Sequence, residues 1–292
     1  MTERIGSPCI EPGSAQATTD WQAKWIKDPL FAGVEPRFLI HPERKPENNG
    51  EIQNVHTLFR KTFELPAGAI QQARLYITAD DCYKVHVNGR FVGLGPAPSF
   101  TFNYHYNAYD VTDALRPGET NAIAAHVFYQ GMHSLTFTSG DNLAGLLVQL
   151  EIDFADGQTI TITTDDTWRC RRTDAYEARQ IYGYQTAFSE HIDLRRWPAG
   201  WEQIGYDDSD WVAPIIGENE LTDIYQLGPQ PTPPVAVFRK SPVEMIKKAN
   251  GNYFIDFGCE LTGETAFCVT GSEGHEVEIR HGEELAGPAT VR

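Results

Sequence analysis

With 292 residues the chain exceeds the usual size of a single core, so one large or two to three modest domains are expected. A net charge of −16 sets its long-range field against phosphate backbones and anionic lipid, which excludes nucleic acid and membrane surfaces as partners, and no run approaches the ~18 apolar residues of a membrane span. Five widely spaced cysteines (Cys9, Cys82, Cys170, Cys259, Cys268), with no CxxC and no Cys/His ligand set, read as free thiols in a reducing, cytoplasmic setting without a resident metal or cofactor.

Residues 1–19 are polar and rich in small side chains, so a disordered N-terminal segment is expected, with order beginning near "WQAKWIKDP". Beyond the loop-like "HPERKPENNGE" the apolar runs are short and rich in Val, Ile, Phe and Tyr, which favours strands. "VHTLFRKTFEL" (55–65) is the first of these. Ala73, Leu75, Ile77 and Ala79 alternate with Arg74, Tyr76, Thr78 and Asp80, the mark of a half-buried strand. "YKVHVNGRFVGL" (83–94) reads as a hairpin closed by a type I′ turn at Asn88-Gly89, because both central positions need φ > 0. That turn pairs Val87 with Arg90, Val85 with Val92 and Tyr83 with Leu94, and leaves Lys84, His86 and Phe91 on the other face.

A loop over 95–103 leads into "YHYNAYDVTDALRPGE", where Asp110, Thr112 and Asp113 are placed to cap a single helical turn. The near-continuous apolar runs "NAIAAHVFYQ" (121–130) and "NLAGLLVQLEIDF" (142–154) call for burial on both faces. "DGQTITITTDDTWRCRR" is another hairpin. Residues 177–226 are irregular and hold Trp197, Trp201 and Trp211, and the Pro-rich "LGPQPTPPV" (227–235) is a linker or an extended lead-in strand. "NYFIDFG", "TAFCVTG" and "HEVEIRHGEEL" form a second β region. The expected fold class is all-β: a jelly-roll sandwich over residues 20–226, including the irregular extension 177–226, then a second, incomplete β-sandwich domain over 227–292.

Several of these stretches, taken in order, resemble the N-terminal half of the bacterial α-L-rhamnosidases, a glycoside hydrolase family. They are "AKWI" (23–26), "FRKTFELP" (59–66), "YKVHVNGRFVGLGPAPSF", "YNAYDVTDALRPGETNAIAAHV", "SEHIDLRRW" (189–197) and "YFIDFGCELTGE" with "GHEVEIRHGEEL". Thr120 separates a usual Glu-Asn pair, and Ser189 and Leu194 depart from a G-E-x-x-D-A-R pattern. The resemblance implies a galactose-binding-like first domain and, in the parent protein, hydrolysis of terminal α-L-rhamnosyl residues with inversion. It also implies that the general acid and base lie in a C-terminal helical barrel. The 292 residues are therefore expected to be the non-catalytic front of such an enzyme, with that barrel and L-rhamnosyl glycosides as partners and no catalytic residue of their own.

Inverting hydrolysis needs two carboxyl groups about 6.5–9.5 Å apart. Asp80/Asp81 and Glu283/Glu284 are adjacent and point to opposite faces if they lie in strands, so solvated turns or edges are the expectation for them. Glu190 and Asp193, beside Arg195, Arg196 and Trp197, read either as a sugar subsite, with Trp197 stacking on a pyranose, or as an Arg–carboxylate network fixing a loop. "FTFNYHYN" (100–107) would line a shallow carbohydrate site with Asn88, Tyr104 and Tyr106 if it folded beside the hairpin turn. The same alternation fits a strand that packs its aromatics inward. Asp110, Asp113 and Asp141 offer hard oxygen ligands but no D-x-D-x-D-G loop, so no metal is expected. Two rivals stand beside the rhamnosidase reading: a stand-alone lectin-like sandwich, and a structural or dimerisation module whose strand edge near 276–285 pairs with a partner or a second copy.

Overall fold

The computed structural model describes residues 2–34, 52–99, 103–131, 145–177, 181–182, 187–217, 226–282, 284–287 and 289–291. The predicted loop "HPERKPENNGE", Asp141 and Glu283 lie outside the described residues. The chain forms two compact units, residues 5–237 and residues 238–292 with 1–4. In chain order the strands are β1 (Thr2–Ile5), which belongs to the smaller unit, and then β2 (Ile26–Lys27), β3 (Val55–Glu64), β4 (Ile70–Ala79), β5 (Cys82–Val87), β6 (Arg90–Gly95), β7 (Asn103–Asp110) and β8 (Thr120–Tyr129). They continue with β9 (Leu146–Phe154), β10 (Thr159–Thr163), β11 (Arg169–Arg172), β12 (Ile181–Tyr182), β13 (Ala187–Phe188), β14 (Ile215–Ile216) and β15 (Gln226–Pro229).

A seven-stranded sheet in the order β14-β2-β9-β4-β7-β15, with β10 also on β9, faces a five-stranded sheet in the order β11-β3-β8-β5-β6. Between them lies one apolar cluster that includes Phe59, Leu75, Ile77, Val85, Val127 and Leu150. The all-β expectation is met. Strand β8 shows why its sequence is apolar throughout: Ile123, Ala125 and Val127 enter that cluster, while Ala124 packs outward against Leu58, Trp201 and Trp211. A ten-residue antiparallel ladder with β3, from Val55↔Tyr129 to Glu64↔Thr120, holds it in the middle of the sheet.

The hairpin turn is as the sequence predicts, with Asn88 at φ 53° and Gly89 at φ 77°. Its register is not. Val87↔Arg90 and His86↔Phe91 are paired, but a bulge then places Val85 opposite Gly93 and Tyr83 opposite Gly95. The bulge turns Val92 into the core and also brings glycines 93 and 95 against the opposing sheet. A Cβ at Gly93 would lie 2.5 Å from the Tyr109 ring and one at Gly95 2.3 Å from Asn107 Oδ1. Only glycine fits at either position.

Asp110 does act as a local cap: its Oδ1 accepts from Thr112 N (3.0 Å) and Oγ1 (2.6 Å) at the start of the turn Thr112–Ala114. Asp113 is exposed and caps nothing. The N-terminal segment also differs from its composition. Rather than fraying, residues 7–20 lie along the sandwich, with Ser7 N bonded to Val92 O, Ile10 N to Ala108 O, Tyr76 Oη donating to Gln16 O, and Gln149 Nε2 donating to Thr19 Oγ1. Exposed backbone polar groups of the sheet make such a strap favourable despite its small side chains. The Pro-rich stretch is strand only at its start: β15 runs parallel to β7 from Gln226↔Asn103 to Pro229↔Tyr106, and residues 230–235 carry no strand.

The smaller unit contains β16 (Val237–Lys240), paired with β1, and the hairpins β17 (Glu244–Lys247) with β18 (Tyr253–Asp256) and β19 (Leu285–Gly287) with β20 (Thr290–Val291). "TAFCVTG" and residues 275–282 of "HEVEIRHGEEL" carry no strand. Phe267, Val269 and Val277 are more than half exposed, so the alternation there meets no apolar layer to bury it. Among the described residues no helix is long and apolar enough to cross a membrane.

Candidate functional site

The structure separates Asn88 from Tyr104 and Tyr106 instead of gathering them. Asn88 bonds Ala114 O beyond the end of β7, whereas the tyrosines lie near its start. Asn88 is wholly engaged in the fold: its Oδ1 accepts from Ala122 N (2.7 Å), and its Nδ2 donates to Ala114 O (2.8 Å) and Asn121 Oδ1 (2.7 Å). Tyr104 packs edge-on against Trp25 at 5.8 Å and Tyr106 against Trp21 at 5.2 Å, both buried on the outer face of the seven-stranded sheet. The period of β7 explains this. Tyr104, Tyr106 and Ala108 share one face, and that face is covered by Trp21, Trp25 and Leu227, with Ile10 of the N-terminal strap.

Asp193 is clamped by its neighbour: Arg195 Nε and Nη2 donate to the two carboxylate oxygens at 2.8 and 2.7 Å, and Arg196 Nε lies 3.5 Å away. Those hydrogen bonds hold its carboxyl at about 2, well below the usual range. Glu190 is exposed nearby. The loop network therefore accounts for Asp193 and Arg195 without a ligand. Trp197 belongs to a separate aromatic layer, edge-on to His126 (5.4 Å), Tyr176 (5.8 Å) and Trp201 (6.2 Å).

That layer fills the outer face of the five-stranded sheet, and residues 190–212 close over it as a cap. Its fastener is Arg60, which the sequence presents as an ordinary strand residue. The guanidinium is almost fully buried. It donates to the carbonyls of Trp201 (3.1 Å), Gln203 (2.7 Å) and Ile204 (2.8 Å), binds the Asp208 carboxylate, and lies 5.9 Å from the centre of the Tyr206 ring.

Sequence reasoning also misplaces Asp80 and Asp81. Both are buried, not solvated, in the turn from β4 to β5; Asp80 N bonds Gly145 O, Asp81 N bonds Phe128 O, and Asp81 Oδ2 accepts from Gln130 N at 2.7 Å. The DD pair carries no pattern that distinguishes a buried turn from a wet one, so only the tertiary bonds reveal it. Around the same end of the sandwich Asn107 Oδ1 accepts from Tyr83 Oη (2.6 Å), while its Nδ2 donates to Gln230 Oε1 (2.9 Å), which also accepts from Ala97 N (2.8 Å). Asn103 and His105 stand partly exposed at the start of β7 beside this network. Acid, amide and imidazole groups thus converge at one end, the chemistry that recognises hydroxyls. Among the described residues no three His, Cys, Asp or Glu side chains gather as a metal set.

Residues 68–239 match the family described as the alpha-L-rhamnosidase N-terminal domain, and residues 246–292 match the bacterial alpha-L-rhamnosidase concanavalin-like domain. An alpha-L-rhamnosidase of Streptomyces avermitilis is 34% identical over 250 residues, covering 82% of this chain and 23% of its own. One from Formosa agariphila is 28% identical over 291 residues, covering 93% of this chain and 28% of its own. Among solved structures, the GH78-family rhamnosidase of Bacillus sp. GL1 aligns with a TM-score of 0.58 at 28% identity, over 78% of this chain and 22% of that one. The Streptomyces avermitilis alpha-L-rhamnosidase complexed with L-rhamnose aligns with a TM-score of 0.56 at 32% identity, over 71% of this chain and 20% of that one. The chain thus spans about a quarter of the length of the curated relatives it matches.

Proposed function

Because the chain belongs to the bacterial α-L-rhamnosidase family, we propose that its residues form the N-terminal β region of an enzyme that hydrolyses terminal α-L-rhamnosyl residues with inversion, and that this region is itself non-catalytic. The observation that carries the reading is the family match over 68–239, joined to 34% identity with the Streptomyces avermitilis relative across 250 residues. The state of the acids supports the non-catalytic part. Asp193 is tied up as an ion pair and Asp81 accepts from backbone, so neither is poised to give or take a proton. The 292-residue chain, assayed with 4-nitrophenyl α-L-rhamnoside beside the full-length Streptomyces avermitilis enzyme, is expected to release nitrophenol no faster than buffer. Turnover that scales with the concentration of the short chain would sink the proposal.

A second reading, that the jelly roll contacts sugar, draws support from the convergence of polar groups at the Asp80–Asp81 end. It predicts heat on titrating the chain with L-rhamnose in the millimolar range, abolished in Asn103→Ala while far-UV circular dichroism stays unchanged. Silence throughout that range, or heat that survives the substitution, would count against a site there.

A further inference from the structure

Three imidazoles on adjacent strands lie beneath the cap. The ladder register sets them on the outer face of the five-stranded sheet: His56 opposite Phe128, His126 opposite both Leu58 and Lys84, and His86 opposite Ala124, whose other neighbour is Arg60. His56 is stacked between Phe128 and Tyr176, at 4.3 and 3.8 Å, and its Nδ1 lies 3.0 Å from His126 Nε2. His126 meets Trp197 of the cap edge-on and His86 meets Trp201.

The charges around this layer leave little to receive a proton's charge. Arg60 and Lys84 already make the face cationic. From the cap, Asp208 is taken by Arg60, and Asp193 by Arg195 and Arg196. Glu177 faces His191 (3.1 Å) and Arg196 (3.9 Å). Glu202 remains: its Oε2 and His86 Nδ1 are both buried with no hydrogen-bond partner among the described residues.

We propose that this imidazole layer makes docking of residues 190–212 proton-sensitive, so that acid releases the cap from the five-stranded sheet while the two-sheet core stays folded. Burial lowers His56 to about 3 and His126 to about 3, the latter also through its cationic and imidazole neighbours. Burial lowers His86 too, with Glu202 opposing and Lys84 adding to the shift. A ring freed by undocking returns toward the ordinary value of about 6.5. Between that value and the docked one the released state binds more protons, so docking is complete above it and is lost progressively as pH falls through the window.

Hydrogen exchange read by mass spectrometry at pH 7.5 and pH 4.5, corrected for intrinsic rates, tests this. Peptides covering 190–212 are expected to lose about ten-fold or more of their protection at the lower pH, a population shift of roughly 1.4 kcal/mol, while β4 and β9 peptides keep theirs. His86→Gln and His126→Gln, each first shown to be folded at pH 7.5, should flatten the response. Glu202→Gln, which removes the carboxylate that holds up His86, should move release to higher pH and serves if a histidine variant fails to fold. Unchanged cap protection at pH 4.5, loss of protection in cap and both sheets together, or a full response in the histidine variants would overturn the proposal.

Discussion

Arg60→Ala is expected to lower the stability of the larger unit by about 3–5 kcal/mol, the usual penalty for breaking a buried, hydrogen-bonded ion pair. All six tryptophans lie in that unit, so tryptophan fluorescence in a urea titration reads it without the smaller one. The loss comes from two sides. The carbonyls of Trp201, Gln203 and Ile204 lose a buried donor, and Asp208, itself partly exposed, loses its counter-charge. Arg60→Lys should recover only part of the effect, because an ammonium cannot serve three carbonyls and a carboxylate in the guanidinium's planar geometry. A midpoint within error of the parent for the alanine variant would show that the cap holds on by its aromatics alone.

Asn121→Ala is the second large effect, about 2–4 kcal/mol by the same measurement. Asn121 is fully buried, and every hydrogen-bonding position of its amide is filled. Its Oδ1 accepts from Asn88 Nδ2 (2.7 Å) and Arg116 N (2.8 Å), and its Nδ2 donates to Arg116 O and Glu119 O, both at 2.9 Å. Truncation orphans backbone groups on the 116–119 turn and a donor on the hairpin tip at once. Asn121→Asp should be nearly as damaging, since a carboxylate offers no donors to the two carbonyls. If either variant unfolds at the parent's urea concentration, the amide lock is not what joins hairpin to turn.

Local chemistry made much of this fold legible in advance. Asn-Gly gave the hairpin turn because the backbone demands positive φ there, and strict alternation in 73–80 marked β4. Gly93 and Gly95 are the local cue to a bulge or close approach, but what they make room for, Tyr109 and Asn107, belongs to the opposing sheet and is not legible beside Val92. The same holds for Arg60, whose partners are more than 140 residues away. At the candidate site, sequence spacing rightly flagged a charged loop at Asp193 and Arg195 but could not tell a self-satisfied network from one awaiting a ligand. For Tyr104 and Tyr106, polar-tipped rings in a strand read as wall or as core, and only the tertiary cover by Trp21, Trp25 and Leu227, with Ile10, decides for core.

The bulge in β6 has a bearing on how the protein behaves in crowded solution. An outermost strand with free backbone groups invites a neighbouring molecule to add its own, and β3, ten residues long, and β5 stand just behind these margins. On one margin the kinked β6 already gives the Val92 carbonyl to Ser7. On the other, Cys170 of β11 exchanges both backbone bonds with Val212, while Arg169, Arg171 and Arg172 project charge from the same strand. With both selvedges of this sheet partly hemmed, the run of free backbone that a strand from a neighbouring molecule could pair with is shortened on either side.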